Sequence, residues 1–181
     1  MAPDNSITEK ARKIKLLIMD VDGVLTDGRI ILGNNGDEFK VFDVKDGFAI
    51  RMAQRVGLKT AIITARNTKI VEMRAKELEI TAVYQNALVK AEAYLKLMAD
   101  FQLQHEEAAY LGDDLIDLPV MLQVGLAITV PEAVEDVKQR AHYITRHSAG
   151  RGAVREAVEL ILKAQDLWGK ATERYFIKQN S

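Results

Sequence analysis

Short apolar runs alternate with helix-patterned stretches along almost the whole chain. Lys15-Leu-Leu-Ile-Met leads into Asp20, Thr60 to Ile63 into Thr64, and Ala108 to Leu111 into Gly112-Asp113-Asp114. Thr81 to Tyr84, Leu126 to Val130 and Tyr143 to Thr145 complete the set. Runs of this length are buried strands. Helical spans between them are the signature of a mainly parallel α/β sheet, doubly wound with helices on both faces. The spacing predicts helices over about 46–55, 67–78, 88–100, 115–124, 132–140 and 155–164. Asp46 and Asn67 are the expected N-caps, Gly57 suits a helix end, and Pro119 belongs in a first turn. The 181 residues read as one domain with a tail from about 165.

One segment breaks this rhythm. Arg29 to Leu32 and Glu38 to Phe42 flank Gly33-Asn34-Asn35-Gly36, whose residues tolerate the positive φ of a tight turn. A hairpin therefore stands between the first strand and its helix. A two-stranded hairpin alone is marginally stable, so it packs on its own sheet or on another subunit.

Composition removes several classes of function. Lys+Arg is 25 against Asp+Glu 26, for a net charge of -1, so no basic field exists to attract nucleic acid. Cysteine is absent, which removes disulfides, zinc-thiolate sites and thiol catalysis. Met1 to Lys13 is polar and lacks a signal-type apolar stretch, and Leu16 to Met19 is far too short to span a bilayer. A soluble cytoplasmic domain without membrane partners is expected.

Three polar groupings fall at predicted carboxyl ends of strands, where open parallel sheets bind ligands. The first is Asp20-Val-Asp22-Gly23-Val-Leu-Thr26-Asp27-Gly28, the second Thr64-Ala65-Arg66, and the third Gly112-Asp113-Asp114-Leu-Ile-Asp117. Lys90 stands between the second and third, near a helix start. Carboxylates set directly after a buried strand are costly to desolvate without a partner, and a hard cation is the natural one. Gly23 lets the backbone turn and bring its amides close to an anion. Each piece has a plainer reading: Asp-Gly pairs make turns, Asp113-Asp114 serves as a helix N-cap, and single Lys or Arg residues are usually solvated. The ordered conjunction of all of them is what carries chemistry.

That conjunction resembles the haloacid dehalogenase superfamily of phosphotransferases, over essentially the whole chain. Asp43-Val-Lys-Asp46-Gly47-Phe-Ala-Ile-Arg51, Gly112–Met121 and Gly150-Arg151-Gly152-Ala153-Val154-Arg155-Glu156 are similar, more narrowly, to its 3-deoxy-D-manno-octulosonate 8-phosphate phosphatases, enzymes of lipopolysaccharide precursor synthesis. Ala65 and Ser148-Ala149-Gly150 depart mildly from that pattern. The resemblance implies a Rossmann-like fold and catalysis through an aspartyl-phosphate. Asp20 would be the nucleophile, and Asp22 the acid that protonates the leaving sugar oxygen and then activates water. Mg²⁺ would be held by Asp20, the Asp22 backbone carbonyl and Asp113. Thr64 and Lys90 would serve the phosphate, with Lys90 oriented by Asp114 or Asp117. The substrate-binding stretch maps onto Asp43, Val44, Lys45, Asp46 and Gly47, together with Asp22 and Lys90. The binding arginines map onto Arg51, Arg66 and Arg74, which suit carboxylate or phosphate.

Only the hairpin, one helix and one strand separate Asp22 from Thr64, which leaves no room for a large cap domain. The resemblance implies a homotetramer in which one subunit's hairpin, about 29–42, covers a neighbour's site; the C-terminal tail is a second candidate for reaching that site. Trp168, Tyr175 and Phe176 suggest subunit packing. Rival readings are a phosphatase for a 9-phosphorylated nonulosonic acid, a non-catalytic receiver-like phosphoacceptor and an inert scaffold domain. His105, His142 and His147 show no partner pattern and are expected to be satisfied or exposed.

Overall fold

The computed structural model describes residues 5–176. Its strands are β1 (Leu16–Met19), β2 (Ile31–Leu32), β3 (Glu38–Phe39), β4 (Lys59–Ile63), β5 (Ala82–Tyr84), β6 (Ala108–Leu111), β7 (Leu126–Thr129) and β8 (Tyr143–Ile144). Its helices are α1 (Asn5–Arg12), α2 (Val44–Arg55), α3 (Lys69–Glu77), α4 (Lys90–Phe101), α5 (Leu118–Met121), α6 (Glu135–Lys138), α7 (Ala153–Ala164) and α8 (Trp168–Thr172).

Six strands form one parallel sheet in the order β5-β4-β1-β6-β7-β8, and β2 and β3 pair antiparallel as a separate hairpin. Setting the hairpin aside, the sheet runs 3-2-1-4-5-6 in chain order. That is the dinucleotide-fold order, and it differs from the 2-1-3-4-5 order of receiver-type sheets. Chain order reverses between β1 and β6, so the crevice at their carboxyl ends is the switch point where such folds place ligands.

The period-2 geometry of the strands divides the core. Leu17 and Met19 of β1 face a layer containing Ala11, Ile50, Ala53, Val71, Val158 and Ile161. Leu16 and Ile18 face the opposite layer, with Tyr94, Leu97, Val120 and Val137. All four residues of β1 are buried, each contributing about 1.5–3 kcal/mol. No helix among the described residues is long and apolar enough to cross a membrane.

The alternation predicted from sequence is present, and the differences have local causes. Asp43, not Asp46, caps α2, by accepting from Lys45 N. Asp46 lies one turn in and points its carboxylate at α7 instead. Thr68, not Asn67, caps α3 through its hydroxyl. The predicted helix over 115–124 divides into a 3-10 turn, Leu115–Asp117, and the short α5, because Asp114 and Asp117 cap that turn reciprocally. The predicted 132–140 helix shrinks to α6. The polar start of the chain hid α1, which buries only Ala11. In the tail, Trp168 packs on the core and Tyr175 tilts against Phe48 while accepting from Arg55 Nη1 at 2.8 Å. Phe176 remains exposed.

Candidate active site

The register of the central strands builds the site. Met19 pairs with Ile62 on one side and Leu111 on the other, so Asp20 emerges level with the ends of β4 and β6. Its amide continues the ladder to Leu111 O at 3.0 Å. The chain then turns sharply: Val24 N and Thr26 N both return to Val21 O, at 3.2 and 3.0 Å. Gly23 allows this turn. Its φ is +90°, and a Cβ there would lie 2.1 Å from Asp113 Oδ2.

Asp117 braces the other wall. Its Oδ1 accepts from Lys90 Nζ at 2.6 Å and from Tyr110 OH at 2.7 Å. Its Oδ2 accepts from Asp113 N at 2.9 Å and Asp114 N at 3.1 Å. Lys90, the first residue of α4, also reaches Asp20 Oδ2 at 2.8 Å. The orienting partner of Lys90 is therefore Asp117; Asp114 instead accepts from Leu115 N.

Electrostatics marks the same residues. Burial pushes the Asp20 carboxyl up to about 6, against the pull of Lys90. Burial, with repulsion from Asp117 and Asp20, pushes Asp113 up to about 7. Burial also pulls Lys90 down, but Asp20 and Asp117 together carry it above its ordinary value. Asp20 Oδ1, Asp22 Oδ2 and Asp113 Oδ1 are buried without a hydrogen-bond partner. Single carboxylate oxygens of Asp20, Asp113 and Asp117 lie within 4.8 Å of one another.

These residues fit a hard divalent cation. The donors are all oxygen, and Asp20 and Asp113 each keep a buried oxygen with nothing to satisfy it. Asp117 is not a ligand on this geometry, because both its oxygens are already engaged.

Thr64 follows β4 and is buried; its backbone bonds Tyr84 O and accepts from Ala87 N. Arg66 donates to Glu38 Oε2 at 2.8 Å. Glu38 in turn contacts Lys40 at 3.3 Å, and Lys40 pairs with Asp22 Oδ1. Glu38 and Lys40 were not anticipated from sequence. The polar–apolar alternation of Glu38-Phe39-Lys40-Val41, which puts one polar face inward, was the available signal.

The remaining predicted residues surround α2. Asp46 is buried and accepts from Gly152 N at 3.2 Å and Arg155 N at 2.7 Å, capping α7. Its side chain is thereby committed to the fold. Val44 and Lys45 are exposed. Gly47 lies against Arg74, whose Nη2 would be 2.3 Å from a Cβ there, and the Arg74 guanidinium sits 5.6 Å from the Phe42 ring centroid. Arg74 donates to Glu77 at 2.8 Å but keeps a buried, unpartnered Nε. Arg51, one turn beyond Gly47, pairs with Glu79, so the structure does not bring it to the Asp20 cluster. A groove of about 470 Å³ beside the hairpin base is lined by Asp43, Val44, Lys45, Phe42 and Arg151, among others. All three histidines have partners: Tyr94 OH for His105, Ala127 N for His142 and Glu156 for His147.

The haloacid dehalogenase-like hydrolase profile matches residues 81–158. The chain is 49% identical over 168 residues to the 3-deoxy-D-manno-octulosonate 8-phosphate phosphatase of Yersinia pestis, covering 93% of this chain and 90% of that protein. The crystal structure of the phosphatase of that name from Moraxella catarrhalis, in complex with magnesium, phosphate and a KDO molecule, superposes with a TM-score of 0.92 at 42% identity, covering 96% of this chain and 99% of that one. The cobalt-bound Haemophilus influenzae enzyme gives 0.87 at 35% identity, covering 93% and 99%. Identity at this level over nearly the full length, joined to an acidic crevice at the β1–β6 switch point, makes this chain a member of the haloacid dehalogenase-like hydrolases, in the family of 3-deoxy-D-manno-octulosonate 8-phosphate phosphatases.

Proposed function

We propose that this chain is a Mg²⁺-dependent phosphatase that converts 3-deoxy-D-manno-octulosonate 8-phosphate to the free sugar acid and phosphate. The observation that carries this reading is that Asp20, Asp22 and Asp113, which follow the ends of β1 and β6 at the switch point, each keep a buried carboxylate oxygen without a hydrogen-bond partner. One carboxylate oxygen of Asp20 attacks phosphorus and forms the aspartyl-phosphate as the bond to the C8 oxygen breaks. Asp22 Oδ2 gives its proton to that oxygen, then takes one from the water that attacks the acyl-phosphate. Lys90, fixed by Asp117, and Thr64 balance the phosphoryl oxygens. Mg²⁺, held by Asp20, Asp113 and the Asp22 carbonyl, supplies charge that offsets repulsion between Asp20 and the phosphate.

Arg51, Arg66 and Arg74, with the start of α2 from Asp43 to Gly47, are the proposed sugar-acid contacts. Arg74 supports this best, since its Nε is buried and has no partner. The proposed setting is the cytoplasm, where the product enters lipopolysaccharide precursor synthesis. A homotetramer is the proposed assembly. Its support is the open hairpin, with Ile31, Leu32, Phe39 and Val41 all exposed to solvent. Sedimentation tests the assembly. Phosphate release with and without chelator tests the chemistry: many turnovers with Mg²⁺ are expected and none without. Retention of a single phosphoryl group per chain would favour a phosphoacceptor instead.

A further inference from the structure

We infer that Lys40 is a positioning residue for Asp22, delivered by the hairpin of the same subunit; this rests on the phosphatase reading above. The hairpin's return arm has two faces. Phe39 and Val41 point outward and are exposed, while Glu38 and Lys40, at alternate positions, point inward. The Lys40 side chain is 1% exposed although it belongs to an otherwise open hairpin. Its ammonium pairs with Asp22 Oδ1 and contacts Glu38 Oε1 at 3.3 Å, and Glu38 is held by Arg66 at 2.8 Å. The result is a chain of alternating charge, Asp22–Lys40–Glu38–Arg66, that ties the strand-end carboxylate to the hairpin and to the loop after β4.

The asymmetry at Asp22 assigns the role. Lys40 engages Oδ1, whereas Oδ2 is buried and has no partner. One oxygen is held and the other is left to handle the proton. An exposed ion pair contributes little to stability, and its side chains wander among rotamers. An enclosed ammonium bridging two carboxylates fixes a carboxyl plane, as an oriented acid–base group requires. The hairpin thus has a second task beyond any it performs toward a neighbour: when it folds, it aims its own subunit's Asp22.

The test compares the two half-reactions with p-nitrophenyl phosphate. Its leaving group departs without a proton, so formation of the aspartyl-phosphate does not need Asp22, whereas hydrolysis of that acyl-phosphate does. In Lys40→Met the burst of p-nitrophenolate should keep a rate within about threefold of wild type, while the steady phase slows about 10–100-fold. On the 8-phosphate, kcat should fall by at least that factor with little change in KM. Lys40→Arg, which keeps the charge, should recover most of the steady rate. Glu38→Gln should slow the steady phase as Lys40→Met does, but less, and leave the burst unchanged. An unchanged Mg²⁺-induced rise in melting temperature establishes that the fold and the Asp20–Asp113 pair are intact. Equal slowing of burst and steady phase, an effect confined to KM, or wild-type rates throughout would overturn the assignment. If wild-type protein turns over neither ester, the phosphatase reading fails; if only the variants behave like wild type, the role of Lys40 alone fails.

Discussion

Lys90 Nζ lies 2.6 Å from Asp117 Oδ1, joining the first residue of α4 to the turn after β6. The same ammonium serves Asp20, so one cation faces the three clustered carboxylates of Asp20, Asp113 and Asp117. With all of them ionised the set carries two uncompensated negative charges, and a divalent cation is what neutralises it. The ion pair and the metal requirement are two parts of one charge balance.

Asp117 and Asp113 should therefore respond oppositely to neutralisation. Asp117→Asn leaves Lys90, Tyr110 or the two amides unsatisfied in a buried site and should cost about 3 kcal/mol in urea unfolding. Asp113→Asn removes an acid that burial already disfavours. The metal-free variant should be at least as stable as wild type, yet Mg²⁺ should no longer stabilise it.

The raised carboxyls predict a pH signature. Their folded values, about 6 for Asp20 and about 7 for Asp113, lie above the ordinary aspartate value. Their protonation stabilises the metal-free fold at low pH, and that contribution is lost as pH rises through about 6 to 7. Mg²⁺ must displace those protons. Scanning calorimetry should show its largest stabilisation above pH 7 and almost none by about pH 5. A shift independent of pH would contradict this account of the site.

Gly23→Ala should damage metal binding more than folding. Its Cβ would enter the space of the Asp113 carboxylate, at a backbone conformation that costs an L-residue about 1–2 kcal/mol. Isothermal titration should show Mg²⁺ affinity reduced by at least about tenfold, with secondary structure retained. Wild-type affinity would mean that Asp113 moves freely and is not held in place.

The arginines separate sugar recognition from phosphate chemistry. Arg66→Ala or Arg74→Ala should lower kcat/KM for the octulosonate ester about tenfold or more, and for p-nitrophenyl phosphate much less. Equal losses on both would assign them to structure or to general phosphate binding. Arg51→Ala provides a graded comparison, because its pairing with Glu79 must first be broken.

The parts of this protein legible in the sequence are those set by burial and strand-end geometry. The apolar runs located all six strands of the main sheet, and the strand ends placed Asp20, Thr64 and Asp113 together. Choices between neighbouring polar residues were not legible. Asp43 and Asp46 are both good caps by type, and only the packing of α7 against α2 decides that Asp46 serves another helix. Lys90 had two acidic candidates, and the reciprocal cap at Leu115 turned Asp114 away. Nothing local marks Lys40 as part of the site, because its partner is Asp22, 18 positions back.

The central claim is that this crevice turns over an eight-carbon ulosonic acid 8-phosphate through Asp20. The direct measurement is kcat/KM with Mg²⁺ on a panel of that ester, a 9-phosphorylated nonulosonic acid and p-nitrophenyl phosphate, with Asp20→Asn alongside. The account predicts that the octulosonate ester is preferred by at least about tenfold and that Asp20→Asn loses at least about 10³ in rate on all three. Equal or better turnover of the nine-carbon ester, or substantial activity in Asp20→Asn, would contradict it.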